Sequence, residues 1–249
     1  MSRNAVAMEI FTEWTAAREV QRRFMQHSGP KIDTLDFSAD CRQVRDLGGD
    51  FYDFVPLPDS LLALAVGDAS GKGPAAALMI ANVQSSLRTA ALFTGNNGTA
   101  ALKAVNHQVY ESSLPDRYAT LFYGIFDRAR HTLRYVNAGH NPPMMIRRDG
   151  SVAWLETGGA PVGIFPDWNY QEGVVHLEPG DMVLAYTDGV IEAVNPNGEE
   201  WGVEGLRTAV AETDARSAED MVHAIFTLMD EFSRGCQRDD ATVVALQVH

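Results

Sequence analysis

The chain has 249 residues, 45% of them hydrophobic and 21% charged, with a formal net charge of −13. That is enough chain to bury the core of one or two domains without disulfides, and its acidity argues against the basic patches by which nucleic-acid and anionic-membrane binders gain affinity. Two cysteines, Cys41 and Cys236, give neither a disulfide framework nor a sulfur-rich metal site and read as reduced packing residues, and the seven histidines show no zinc-ligand spacing.

The opening residues, MSRNAVAMEIFTEW, lack the basic start and long apolar run of a signal peptide, and no apolar stretch reaches ~18 residues, so a cytoplasmic protein without a membrane partner is expected. Residues 8–27 carry Ile10, Trp14, Ala17, Val20 and Phe24 at spacings of three and four, with charges between them, which predicts an amphipathic helix. The breaker cluster Ser28-Gly29-Pro30 ends it. Residues 1–30 therefore read as a separate N-terminal element, and 31–249 as the main domain. The apolar stripe of the helix has three uses open to it: packing on the main domain, pairing in a homodimer, or receiving a sensor domain.

Short β-rich runs follow at 51–55, 61–67, 119–126, 132–137, 143–147, 152–155, 174–177, 182–187 and 241–248. Helices are predicted from Pro74 to Phe93 and, after the turn-forming Gly95-Asn96-Asn97-Gly98, from Thr99 to Ser112. A second pair covers 203–212 and 217–233, where Ser217 with Asp220 three residues on forms a helix-start signature. Helices paired between runs of strands indicate α+β with antiparallel sheets, not alternating βαβ units. Met144, Met145, Met221 and Met229 read as core.

Four segments set an aspartate beside glycine or a second aspartate: Gly48-Gly49-Asp50-Phe51-Tyr52-Asp53, Gly67-Asp68-Ala69-Ser70-Gly71-Lys72-Gly73, Thr187-Asp188-Gly189 and Asp239-Asp240-Ala241-Thr242. Any one alone is a turn. Together, three of them adjoining apolar strands, they suggest carboxylates delivered by strand tips to one point. Two carboxylates ~5 Å apart repel by roughly 3 kcal/mol at an effective dielectric near 20, so such a cluster needs cations. All-oxygen ligation selects magnesium or manganese, and two such ions suit phosphate-ester hydrolysis.

Other readings of these motifs are weaker. Gly67–Gly73 has three residues where a P-loop needs four, and lacks the following Ser or Thr. Ser70 lacks the glycine two residues earlier that a nucleophile elbow requires, so turn hydrogen bonding is its expected job. Asn195-Pro196-Asn197-Gly198-Glu199-Glu200 has no calcium-loop pattern and reads as a turn. Asn137-Ala138-Gly139-His140-Asn141-Pro142-Pro143 reads as a turn with a fixed backbone, with a general-acid role for His140 as the alternative.

In the order GGDFYD, GDASGKGPAAALM, NAGHNPP, PVG, TDGVIEA and DDATVV, residues 18–249 resemble the SpoIIE-like bacterial branch of the type 2C metal-dependent serine/threonine phosphatases. The resemblance implies two antiparallel β-sheets sandwiched between helix pairs. It implies two manganese or magnesium ions held by Asp50, Asp68, Asp188, Asp239 and the backbone carbonyl of Ala69. By the same resemblance Asp68 bridges the ions, Asp188 and Asp239 complete one shell, and Asp50 completes the other. Valine is frequent at the position of Ala69, a harmless departure because only the carbonyl is implicated. Asp53 would hold metal-bound water and Asp240 would cap or orient; Lys72 and Arg45 are candidates for gripping phosphate.

The implied activity is hydrolysis of phosphoserine or phosphothreonine by a metal-bridging hydroxide without a covalent phosphoenzyme. The implied substrate is an anti-sigma-factor antagonist in a partner-switching pathway, with the N-terminal helix linking a sensory module to the phosphatase. The rival is a non-catalytic regulatory module of the same fold that binds signalling partners. Retention of all four acids favours catalysis. A nucleotide-using kinase is the weakest alternative, for want of a glycine-rich nucleotide loop.

Overall fold

A computed structural model of the chain describes residues 3–25, 32 and 34–249, with side chains in the first helix from residue 12 to residue 24. Helix α1 (Arg3–Met25) is followed by strands β1 (Leu35–Arg42), β2 (Asp50–Leu57) and β3 (Leu61–Ala69). Helices α2 (Pro74–Thr94) and α3 (Gly98–Ser112) come next, then β4 (Ala119–Asp127), β5 (Thr132–Ala138), β6 (Met144–Ile146), β7 (Val152–Trp154), β8 (Gly158–Gly159), β9 (Gly173–His176) and β10 (Met182–Tyr186). The chain ends with α4 (Asp188–Ile191), α5 (Gly202–Glu212), α6 (Ala218–Ser233) and β11 (Ala241–Val248).

Two sheets face each other. One has the order β1-β11-β10-β6-β7; the other runs β2-β3-β4-β5-β8, with β9 also on β5. Every pairing is antiparallel except the two-residue contact of β5 with β8. Alternation along the strands divides the core in three. Phe54, Leu62, Leu64 and Val66 of one sheet meet Val183, Ala185, Val244 and Leu246 of the other. Opposite-facing residues such as Ala63, Ala65 and Ile125 pack on α2 and α3, through Ile80, Val83, Leu102 and Val105. Leu184, Val243 and Ala245 pack on α5 and α6, through Leu206, Ile225 and Phe226. The result is a four-layer αββα sandwich of the α+β class.

Local signals behave as read. Asn97 accepts a hydrogen bond from the Ala100 amide and starts α3, and Ser217 accepts from the Asp220 amide and starts α6. Asn195 Oδ1 ties the amides of Asn197 and Glu199 into a turn. The four methionines are buried. Cys236 is a correction: it is exposed in the loop after α6, whereas Cys41 is half-buried, and both are free thiols.

Ser28-Gly29-Pro30 lies outside the described residues. Within α1, Trp14, Val20 and Phe24 are 37%, 55% and 42% exposed, and the side chain buried against the sheets is instead Gln21. Among the described residues, no helix is long and apolar enough to cross a membrane.

Candidate metal and phosphoester site

Antiparallel register sets Asp50 on β2 directly across from Asp68 on β3. Both continue the strand faces that carry Phe54, Leu64 and Val66, so their carboxyls stand at the end of the gap between the sheets. From the other sheet, Thr187 Oγ1 and Thr242 Oγ1 each donate to Asp50 Oδ2 at 2.7 Å. The threonines are locked to each other: the Thr242 amide donates to Thr187 Oγ1 (2.8 Å) and the Thr187 amide to the Thr242 carbonyl (3.0 Å). Both are fully buried. They were missed in the sequence, although each stands beside a motif aspartate.

Asp188 is the first residue of α4, delivered by the end of β10, and Asp239 lies just before β11. Burial chiefly, reinforced by Asp50, Asp188 and Asp239, raises the Asp68 carboxyl from 3.8 to about 9, and Asp68 hydrogen-bonds to Asp50. Asp50 is raised to about 7, by burial, against the Thr242 and Thr187 hydrogen bonds that favour its anion. Asp188 is raised by burial and by Asp239, with Lys72 opposing. Asp68 thus feels the charge of all three other acids.

Glycine lets the backbone close on this point. A Cβ on Gly49 would stand 3.2 Å from both the Ala69 carbonyl oxygen and Asp68 Oδ1, so those two oxygens converge on one place. The Gly49 amide donates to Asp240 Oδ2 (2.9 Å) and the Val44 amide to Asp240 Oδ1 (2.8 Å), which makes Asp240 an orienting residue for the turn before β2. Lys72 Nζ is bonded to Asp239 Oδ2. Ser70 is tied across to β4: its Oγ accepts the Tyr118 amide (3.0 Å), and its carbonyl accepts Arg117 Nη1 (2.8 Å). Arg45 is exposed beside Gly73, in a cleft of about 430 Å³ that Trp14 and Arg18 of α1 also line. A second cleft, about 280 Å³, opens at Lys72 and Asp239 and reaches Glu192, Glu200 and Arg238.

One expectation is corrected, and one default reading is favoured over its alternative. Asp53 lies one strand face away from Asp50 and turns toward α2, where Arg88 Nε and Nη2 (2.7 Å to Oδ1) clasp its buried carboxylate and Gln84 Nε2 adds a contact at 3.3 Å. It is a structural ion pair, not a holder of metal-bound water. His140 is 6% exposed, and burial takes its pKa from 6.5 down to about 4, weakly opposed by the nearby Tyr186 backbone. Burial that disfavours the imidazolium fits the reading of His140 as part of a turn with a fixed backbone better than the general-acid alternative.

The donor set fits a hard divalent cation: oxygens alone, carboxyls kept from ionising by burial and by each other, and a backbone carbonyl turned into the same place. Among the described residues, no three His, Cys, Asp or Glu side chains already stand at ligating spacing. The Lys72 ammonium supplies the positive charge found against Asp239.

The family model described as Stage II sporulation protein E (SpoIIE) matches residues 58–249. The chain belongs to the SpoIIE family. These are the SpoIIE-like bacterial relatives of the type 2C metal-dependent serine/threonine phosphatases, and the sandwich is their fold. The chain is similar to Protein IcfG of Synechocystis, 27% identical over 94% of this chain and 41% of the relative. It thus spans about two-fifths of that relative. It is also similar to the phosphoserine phosphatase RsbU of Bacillus subtilis, 29% identical over 97% of this chain and 72% of that one. Among solved structures, the SiaA PP2C domain of Pseudomonas aeruginosa is similar in fold over all of both chains, with a TM-score of 0.84 at 22% identity.

Proposed function

We propose that the protein is a manganese- or magnesium-dependent phosphoprotein phosphatase that hydrolyses phosphoserine or phosphothreonine. The observation that carries this reading is the convergence of Asp50 and Asp68 from one sheet with Asp188 and Asp239 beside the other, in a chain of the SpoIIE family. These four and the Ala69 carbonyl would hold the ions. When bound, two divalent ions supply Lewis-acid activation of water and neutralise phosphoryl charge. The protein's part is positioning: Thr187 and Thr242 fix Asp50, Asp240 fixes Gly49, and Arg117 with Tyr118 fixes the loop carrying Ala69. Lys72 and Arg45 flank the cluster as cations for the substrate phosphate.

The likeness to a phosphoserine phosphatase supports a phosphoserine protein as the substrate, and the family resemblance implies that this substrate is an anti-sigma-factor antagonist in a partner-switching pathway. The N-terminal element, residues 1–30 in the proposed division with helix α1 in it, would connect the phosphatase domain to a sensor or to a second copy. The Lys72–Asp239 pair favours a second reading, a regulatory module of this fold in which a lysine replaces the metal charge.

The test is phosphate release from a phosphoserine protein with manganese, magnesium or chelator. Metal-dependent release that Asp68→Asn abolishes supports the phosphatase. Activity that survives chelation, or an Asp68→Asn variant as active as the parent, overturns the metal mechanism, and an inactive parent favours the regulatory module.

A further inference from the structure

The turn at Asn137–Pro143 is built more closely than a connection requires. Asn137 Oδ1 accepts the His140 amide (2.7 Å), and Asn137 Nδ2 donates to the Leu155 carbonyl (3.2 Å). Gly139 has φ +69°, and a Cβ there would meet Pro161 Cγ at 2.4 Å. These constraints aim the His140 ring inward, with Nδ1 at 2.9 Å from Thr120 Oγ1.

Thr120 on β4 lies directly across from Asp68, as Asp68 does from Asp50. Directly opposed residues share a sheet face with Cβ atoms about 5 Å apart. Asp50, Asp68 and Thr120 therefore form one transverse row over three strands, and His140 closes its end.

The protons can be placed. His140 is neutral and carries one N–H. Its Nε2 is buried and reaches no hydrogen-bond geometry, but the Tyr186 backbone near the ring favours a proton, as a carbonyl does. With that proton on Nε2, Nδ1 is the acceptor and Thr120 the donor. Thr120 then turns only lone pairs toward Asp68, which is likewise an acceptor once it is ionised to hold a divalent ion. A water between them satisfies both.

We propose that Thr120, its hydroxyl committed to His140, is a positioning residue that accepts a hydrogen bond from the water held against Asp68 and so aims that water's lone pair at phosphorus. The inference rests on the phosphatase reading above. In hydrolysis the water oxygen bonds to phosphorus as the phosphorus–serine oxygen bond breaks, one water hydrogen staying on phosphate and the other ending on the serine oxygen. Thr120 and His140 keep their protons throughout.

The test uses the whole chain and has two arms. Without metal, long-range ¹⁵N NMR is expected to show His140 as the Nε2–H tautomer, with an Nδ1 resonance that moves in Thr120→Val. With manganese and p-nitrophenyl phosphate, Thr120→Val is expected to lower kcat about tenfold or more with KM within about twofold, and Thr120→Ser to recover most of the loss. Manganese affinity by calorimetry should stay within about threefold of the parent in both variants. Thr120→Ala is read the same way should the valine variant not fold. A proton on Nδ1, an unchanged kcat in Thr120→Val, or a serine variant as impaired as the valine one overturns the proposal with the phosphatase reading intact. An inactive parent overturns both.

Discussion

Gln21 and Gly48 exchange two hydrogen bonds: Gln21 Nε2 donates to the Gly48 carbonyl at 2.7 Å, and Gln21 Oε1 accepts the Gly48 amide at 3.1 Å. A side chain of the N-terminal helix thus completes the backbone pairing of the turn whose next residue, Gly49, is held by Asp240 and whose second next, Asp50, belongs to the acid cluster. Gln43 Nε2 adds a third bond to Gln21 Oε1 (3.2 Å).

Removing that side chain should therefore be felt at the cluster. Gln21→Ala leaves a buried N–H and C=O without partners, a loss of about 1–3 kcal/mol. If the turn moves to recover them, manganese affinity measured by calorimetry is expected to fall about tenfold, the equivalent of 1.4 kcal/mol. Unchanged affinity would disconnect α1 from the site.

Gly189 follows Asp188 and touches the other acidic segment. A Cβ on it would stand 1.9 Å from the Asp240 carbonyl oxygen, so Gly189→Ala must push α4 and the 239–240 segment apart. A shift of about 1 Å at a reacting centre costs on the order of 100-fold in rate. Phosphate release is expected to drop by about that factor while circular dichroism stays that of the parent.

Arg88 and Asp53 join α2 to β2 through a carboxylate whose side chain is 2% exposed, against 31% for the arginine. Arg88→Ala strands a buried charge. Breaking buried pairs costs about 3–5 kcal/mol, and the partial exposure of Arg88 brings the expectation down to about 2 kcal/mol. Urea unfolding measures it, and Asp53→Asn in the Arg88→Ala background should recover part of the loss.

The raised carboxyls set the pH dependence of the metal-free protein. The folded chain holds protons on Asp68 up to about 9 and on Asp50 up to about 7, where an unfolded aspartate has lost its proton near 3.8. The folded state binds more protons in that window, so stability present at low pH is lost as pH rises toward 9. The limit is about 1.4 kcal/mol per pH unit for each group. His140, lowered from 6.5 to about 4, acts in the opposite sense and only below 6.5. Between pH 7 and 9, in chelator, the melting temperature is expected to fall more steeply for the parent than for Asp68→Asn, and manganese should flatten the parent's slope.

Much of this was legible in the sequence because each feature had a local cause. Apolar alternation marks β3, β4 and β11, the Asn97 and Ser217 caps mark helix starts, and the aspartates stand at strand tips beside glycine. Strand β1 has a local signal too, since Leu35, Phe37, Ala39 and Cys41 alternate with polar residues. Helix α4, four residues long, and β8, two glycines, are too short to carry a period. What stayed hidden depends on contacts distant in sequence. Asp53 resembles Asp50 until the strand pleat sends it to the opposite face and Arg88. A lone glutamine in a charged helix does not announce that it binds Gly48, and Thr187 and Thr242 meet over Asp50 only because β10 and β11 pair.

The central claim is that four aspartates at one end of the two sheets hold divalent ions, and anomalous diffraction at the manganese edge from crystals grown with manganese tests it most directly. Two peaks are expected, each about 2.0–2.3 Å from carboxylate oxygens of Asp50, Asp68, Asp188 or Asp239, with the Ala69 carbonyl in one shell. Manganese bound elsewhere, or no peak beside these residues with Lys72 still paired to Asp239, would contradict it.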